Sequence, residues 1–162
     1  MHAHIPQDTA VGIPATVVWD LYGGAKLGRL VDKLLADVIG KVEIVEGDGG
    51  VGTIIKLTFP PGGQMTGDMV EIIAKVDDEN RVRENEVIEG GFKDLGFDLF
   101  RFRLEIIEKD SESCIIRSSM EYEIDDELED VVSRYVSIRP LKIIAETAGK
   151  HENHYHVKLF NQ

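Results

Sequence analysis

A chain of 162 residues fits one domain with a core of its own, and its 30 Asp plus Glu against 18 Lys plus Arg leave a formal charge of −12. That field repels phosphate, so it argues against nucleic acid and anionic membrane as partners and points to neutral or cationic small molecules. The single cysteine, Cys114, excludes an internal disulfide and fits a reducing compartment as a buried strand residue; with no apolar run of membrane-spanning length and no basic then apolar layout around Met1-His2-Ala3-His4, the cytosol is the expected location.

In chain order, His4 to Gly12 reads as an edge strand, since Pro6 lacks a ladder donor, while His2 and His4 lie on an end expected to fray. Pro14 suits a helix start, and Val17, Val18, Leu21 and Tyr22 give a short amphipathic helix around Trp19 that Gly23-Gly24 ends. Leu27, Leu30, Val31, Leu34, Leu35 and Val38 recur at helical spacing, predicting a second helix closed by Gly40. Six strands are then expected at about 41–46, 51–60, 67–76, 81–89, 95–107 and 112–123, divided by Gly62-Gly63, Asp77 to Asn80, Gly90-Gly91 and Lys109-Asp110-Ser111. Phe100, Phe102, Leu104 and Ile106 alternate with Arg101, Arg103 and Glu105, so one face of that strand meets an interior and the other meets water. After Asp125-Asp126 the pattern turns helical, in Glu127 to Val136 and again from Pro140, where Leu141, Ile144, Ala145 and Ala148 form a stripe continued across Gly149 by Tyr155 and Leu159.

Gly47, Gly49 and Gly52 match the spacing G-x-G-x-x-G, yet the segment after them, Thr53 to Phe59, alternates as a strand. A dinucleotide-binding turn must open a helix, and a P-loop needs Gly-Lys-Ser/Thr, so both are excluded. What remains is a glycine-rich hairpin, Gly47 to Gly52 with Gly50 inside it, whose glycines supply positive φ between Val42–Val45 and the next strand. Bare amides there attract an anion, but Glu46 and Asp48 argue against phosphate. His151 and His154 share a helix face while His156 points elsewhere, and no cysteine or acid completes a tetrahedral set, so a solvated helix end is expected and no metal site.

The hairpin, together with Ile88-Glu89-Gly90-Gly91-Phe92-Lys93-Asp94-Leu95-Gly96-Phe97, Ser113 to Ser119 and Glu121-Tyr122-Glu123, resembles the plant class-10 pathogenesis-related proteins, the birch-pollen-allergen family, and within it the norcoclaurine-synthase-like branch. The order and spacing of motifs follow that branch from about Val11 to Ala148. The resemblance implies an α+β helix-grip fold: a seven-stranded curved antiparallel sheet wrapped on a long C-terminal helix, two short helices, and a large internal cavity.

In norcoclaurine synthase a tyrosine, a lysine, a glutamate and an aspartate inside the cavity condense an amine with an aldehyde and close a ring through an iminium. Anchored on Glu89-Gly90-Gly91, the glutamate falls on Glu71 and is kept, while the lysine falls on Arg83, the tyrosine on Met69 and the aspartate on Phe102. Arginine stays charged and orients rather than shuttles protons, methionine offers a soft apolar wall, and phenylalanine offers a ring for stacking, so norcoclaurine synthesis itself is not expected. Two functions follow. One is a cofactor-free cyclase, condensing enzyme or isomerase of plant specialised metabolism, with Glu71 transferring protons, Arg83 orienting a polar substituent, Met69, Phe92, Phe100 and Phe102 shaping the pocket, and Asp98 a second inward acid by period two. The other is a carrier or sensor of a hydrophobic hormone or flavonoid-like compound. The bland alternative for the acids is an ion pair of Glu71 or Asp98 with Arg83. A monomer or weak homodimer is expected in either case.

Overall fold

The structure, a computed structural model, describes the backbone of residues 1–160 and the side chains through Glu152. The chain runs β1 (His2–Val11), α1 (Ala15–Tyr22), α2 (Lys26–Leu34), β2 (Lys41–Glu46), β3 (Ile54–Thr58), β4 (Asp68–Asp77), β5 (Val82–Gly90), β6 (Phe97–Asp110), β7 (Ser113–Ile124), a 3-10 turn (Asp126–Leu128), α3 (Glu129–Tyr135) and α4 (Arg139–Phe160). All strands pair antiparallel in one seven-stranded sheet of order β1-β7-β6-β5-β4-β3-β2.

Register shifts fall between Ile44 and Glu46, Val70 and Glu71, Ile73 and Lys75, Phe97 and Leu99, and Glu108 and Asp110. Each such irregularity bends its strand and adds local twist, so five of them curl the sheet about its concave face. α1, α2 and α4 cover that face. One apolar cluster joins α1, α2 and α4 to β6 and β7 through Val18, Tyr22, Leu30, Ile116 and Ala145. A second, aromatic cluster joins β4 to β7 with the start of α4 through Met69, Phe92, Phe97, Phe100, Phe102, Tyr122 and Leu141. Cys114 is a buried free thiol in the first cluster, and burial raises its pKa to about 11.

Several expectations need correction. The N-terminus does not fray: the Met1 ammonium donates to the carbonyl of Ile124 at 2.6 Å and pairs with Asp126, and His2 bonds Glu121 at 2.9 Å, extending β1 by two residues. Pro6 is tolerated because β1 is an edge. α2 stops at Leu34 instead of running to Val38; Leu34 and Val38 are exposed, because the chain turns at Leu35 to deliver Gly40, φ +138°, beside Thr58. β3 begins at Ile54, since Gly52 and Thr53 bond Ile73 outside the ladder and Thr53 is buried as a side-chain anchor. α4 passes through Gly149 unbroken, and a Cβ there would lie 2.7 Å from Val11, so the glycine admits β1. The side chains of His154, Tyr155, His156 and Leu159 lie outside the described residues.

A candidate ligand cavity with one carboxyl in its wall

Between the two clusters lies a cavity of about 500 Å³, lined from α2 by Leu27 and Val31, from the sheet by Ile55, Leu57, Met69, Phe102 and Leu104, and from α4 by Leu141 and Ile144. Phe59 and Met65 line it from the loop between β3 and β4, Tyr135 from the end of α3 and Pro140 from the first turn of α4. The volume falls within the usual range for small-molecule sites, and so does the chemistry, an apolar wall with a few polar groups. Those groups include Glu71, Arg83 and Asn85, all on the inner face of β4 and β5.

Period-two alternation turns Met69, Glu71 and Ile73 inward on β4 and Arg83, Asn85 and Val87 inward on β5. Glu71 stands opposite Val87, so Asn85 is its diagonal neighbour across the pair. Asn85 Nδ2 donates to Glu71 Oε1 at 3.1 Å, and Arg83 Nε donates to Asn85 Oδ1 at 2.9 Å. Arg83 Nη1 also donates to the backbone carbonyls of Tyr22 at 3.2 Å and Gly24 at 2.7 Å, where α1 ends. Burial pushes the Glu71 carboxyl above its ordinary value, and the Asn85 hydrogen bond and the Arg83 charge draw it part of the way back. Burial likewise depresses the guanidinium of Arg83, only 2% exposed, and Glu71 opposes that.

The expected residues are thus divided. Met69, Glu71, Arg83, Phe92 and Phe102 do line the cavity. The direct Glu71–Arg83 ion pair does not form; the Asn85 amide stands between them. Asp98 is exposed, because the register shift between Phe97 and Leu99 breaks the alternation on which its inward placement rested, and so it pairs with no inward group. Phe100 is fully buried behind the wall, stacked on Phe92 at 3.8 Å and 3° and tilted against Phe102 at 5.3 Å. Asn85 escaped the sequence reading, although its place on the Arg83–Val87 face was the available signal.

The glycine loop lies apart from the cavity. Gly47, Gly49 and Gly52 have φ of 101°, 103° and 93°, but Gly50 does not, contrary to expectation; its amide is held by Asp48 Oδ1. Gly49 donates to Thr53 Oγ1 at 2.9 Å and packs so closely on the turn between α1 and α2 that a Cβ would lie 2.7 Å from the Ala25 nitrogen. The loop therefore braces that turn. Among the described residues no three His, Cys, Asp or Glu side chains cluster as metal ligands, and no helix is long and apolar enough to cross a membrane.

A curved sheet gripping a long helix around an apolar cavity, with one carboxyl among its described lining residues, defines the helix-grip class of proteins. The chain belongs to the pathogenesis-related protein Bet v 1 family, whose family model matches residues 7–154. It is 38% identical over 151 residues to norbelladine synthase of Narcissus pseudonarcissus, covering 93% of this chain and 92% of that one. It is 35% identical over 143 residues to S-norcoclaurine synthase 2 of Papaver somniferum, covering 88% of this chain but 62% of the longer relative. Among solved structures, a point mutant of Thalictrum norcoclaurine synthase with a transition-state analogue superposes at TM-score 0.88 with 31% identity, covering 96% of this chain and 97% of that one. The Thalictrum flavum enzyme in complex with dopamine and hydroxybenzaldehyde superposes at 0.84 with 32% identity, covering 93% and 86%.

Proposed function

We propose that the protein is a cofactor-free enzyme of plant specialised metabolism that condenses an aromatic amine with a carbonyl compound inside the cavity, with Glu71 as the proton-transfer group. The observation that carries this reading is the position of Glu71: it is the one carboxyl among the described lining residues, set in an apolar wall that raises its pKa above the ordinary value. The relatives support the reaction class, since the names they carry are those of synthases and one is seen with an amine and an aldehyde.

The amine nitrogen attacks the carbonyl carbon, and the resulting carbinolamine must lose its hydroxyl as water to give an imine. A neutral Glu71 delivers the proton to that leaving oxygen, and the carboxylate it becomes accepts one from nitrogen, so the group returns to its starting state. The apolar walls of Met69, Phe92 and Phe102 hold the two rings together, and confinement of this sort supplies part of the acceleration. Met69 and Phe102 move no protons, and Arg83 is engaged by backbone carbonyls, so condensation is supported better than ring closure.

The same replacements favour a second reading, a carrier or sensor holding a hydrophobic molecule without turnover. One experiment separates them. Dopamine and hydroxybenzaldehyde, then a panel of related aryl amines and aldehydes, are incubated with wild type and Glu71→Gln, and products and affinities are measured together. The enzyme reading expects turnover to fall by roughly 10²–10⁴-fold with ligand affinity kept. Binding with no turnover by wild type on any pair leaves the carrier.

A further inference from the structure

We propose that Asn85 is the positioning residue of this cavity: clamped by Arg83, its amide engages Oε1 of Glu71 and leaves Oε2 as the oxygen that exchanges a proton with the bound molecule. The proposal rests on the reading of Glu71 as the proton-transfer group and adds to it a residue that lies outside the four positions carried over from the norcoclaurine-synthase pattern.

The direction of the amide follows from donor and acceptor chemistry. A guanidinium only donates, so the atom of Asn85 that meets Arg83 Nε at 2.9 Å has to be Oδ1. Nδ2 then faces Glu71, which it meets at 3.1 Å. Flipping the amide would set N–H against N–H on one side and carbonyl against carboxylate on the other. Arg83 cannot swing away to permit this, because Nη1 is held by the carbonyls of Tyr22 and Gly24 and the side chain is buried. Asn85 is itself 8% exposed and pairs in register with Phe102, which fixes it from the other side.

The consequence for Glu71 is an asymmetric carboxyl. Oε1 accepts an N–H, and a hydroxyl at that oxygen would lose this bond, so the proton of the neutral acid belongs on Oε2. Among the described residues Oε2 makes no hydrogen bond. Among the described residues the other charged groups that line the cavity are Arg83 on β5, which acts on Glu71 across Asn85, and Arg139 at the start of α4. Neither replaces the amide at Oε1. Asn85 thereby does two things at once: it fixes which oxygen works, and it stabilises the carboxylate form against the burial that favours the acid.

The test uses the full chain with carbon-13-labelled glutamate carboxyls, the Glu71 resonance being assigned by its loss in Glu71→Gln. Asn85→Leu removes the donor, and the Glu71 titration midpoint is expected to rise by about 1–2 pH units, the worth of a hydrogen bond to a charged group. Asn85→Asp is nearly isosteric, keeps the acceptor for Arg83, and sets a carboxylate where the donor was, so the midpoint is expected to rise there too. This second variant keeps the test valid if the leucine variant does not fold. The acid limb of the condensation rate, measured with dopamine and hydroxybenzaldehyde, is expected to move with the midpoint. A midpoint within about 0.3 units of wild type in the folded variants overturns the proposal, since a merely structural asparagine would leave the titration in place. The two layers separate: a shifted midpoint in a protein that turns over no amine and carbonyl pair supports the clamp and overturns the reaction, whereas turnover abolished by Glu71→Gln with an unmoved midpoint supports the reaction and overturns the clamp.

Discussion

Arg83 Nη1 donates to the backbone carbonyl of Gly24 at 2.7 Å, so the central strand of the sheet holds the turn between α1 and α2. A cation at the end of α1 also meets the negative end of the helix dipole. The same guanidinium reaches Asn85, and through it Glu71, which ties the carboxyl of the cavity to the packing of α1.

Arg83→Met therefore removes more than a charge. It strips donors from two carbonyls and from Asn85 Oδ1 in a buried setting, and the expected loss is about 3 kcal/mol, in the range for breaking one side of a buried polar arrangement. Arg83→Lys is expected to recover only part, since one ammonium cannot span both carbonyls and the amide. Urea midpoints at constant slope measure both.

The pH dependence of stability follows from the raised Glu71 pKa. Between its ordinary value near 4.5 and its higher folded value, the native state holds a proton that the unfolded chain has lost. Stability from this group is therefore full below the ordinary value and declines as pH rises through that window. Glu71→Gln lacks the decline. Its stability relative to wild type should grow from pH 4 toward neutrality, and a difference that stays constant or shrinks over that range would remove Glu71 as the cause. Asp8, whose carboxyl Arg117 holds below its usual range, acts in the opposite sense at lower pH in both proteins and cancels from the comparison.

Much of this was legible in the sequence, and the failures share a cause. Strict alternation identified β6 and placed Phe102, Leu104 and Ile106 inside. It failed at Asp98, because a register shift two residues upstream of Phe100 is invisible to a period-two count. Periodicity likewise carried α2 on to Val38, where the chain had already turned toward Gly40. The carried-over positions did locate the cavity wall at Met69, Glu71, Arg83 and Phe102. Asn85 went unseen because a polar residue on an inward strand face announces nothing until its partners, fourteen residues away on β4 and two away on β5, are seen to converge.

Glycine substitutions around the helix turn should rank by the space each has. Gly24 has no positive φ and open space for a Cβ, so Gly24→Ala should stay within about 0.5 kcal/mol of wild type. Gly52 has φ +93° but nothing nearby, and alanine there should cost about 1 kcal/mol from backbone strain alone. Gly49 combines φ +103° with a backbone nitrogen of Ala25 at 2.7 Å, which cannot yield as a side chain can, so Gly49→Ala should cost about 2 kcal/mol or more. Thermal melts of the three variants test the order, and a Gly49 variant as stable as the Gly24 variant would show that the loop does not brace the turn.

The aromatic wall offers a last contrast between support and function. Phe100 touches Phe92, Phe97, Phe102 and Tyr122 and lies behind the cavity, whereas Phe92 forms part of its surface. Phe100→Ala should cost about 4–5 kcal/mol, since the vacated volume is enclosed by rings that cannot collapse into it. Phe92→Ala should cost less, about 3 kcal/mol, because its space merges with a cavity already present. The larger consequence is expected in binding: with one ring gone from the wall, the preference among aldehydes should move from hydroxybenzaldehyde toward a two-ring naphthaldehyde. Competition between the two aldehydes for wild type and Phe92→Ala measures that shift, and an unchanged preference would place the bound aromatic ring elsewhere along the cavity.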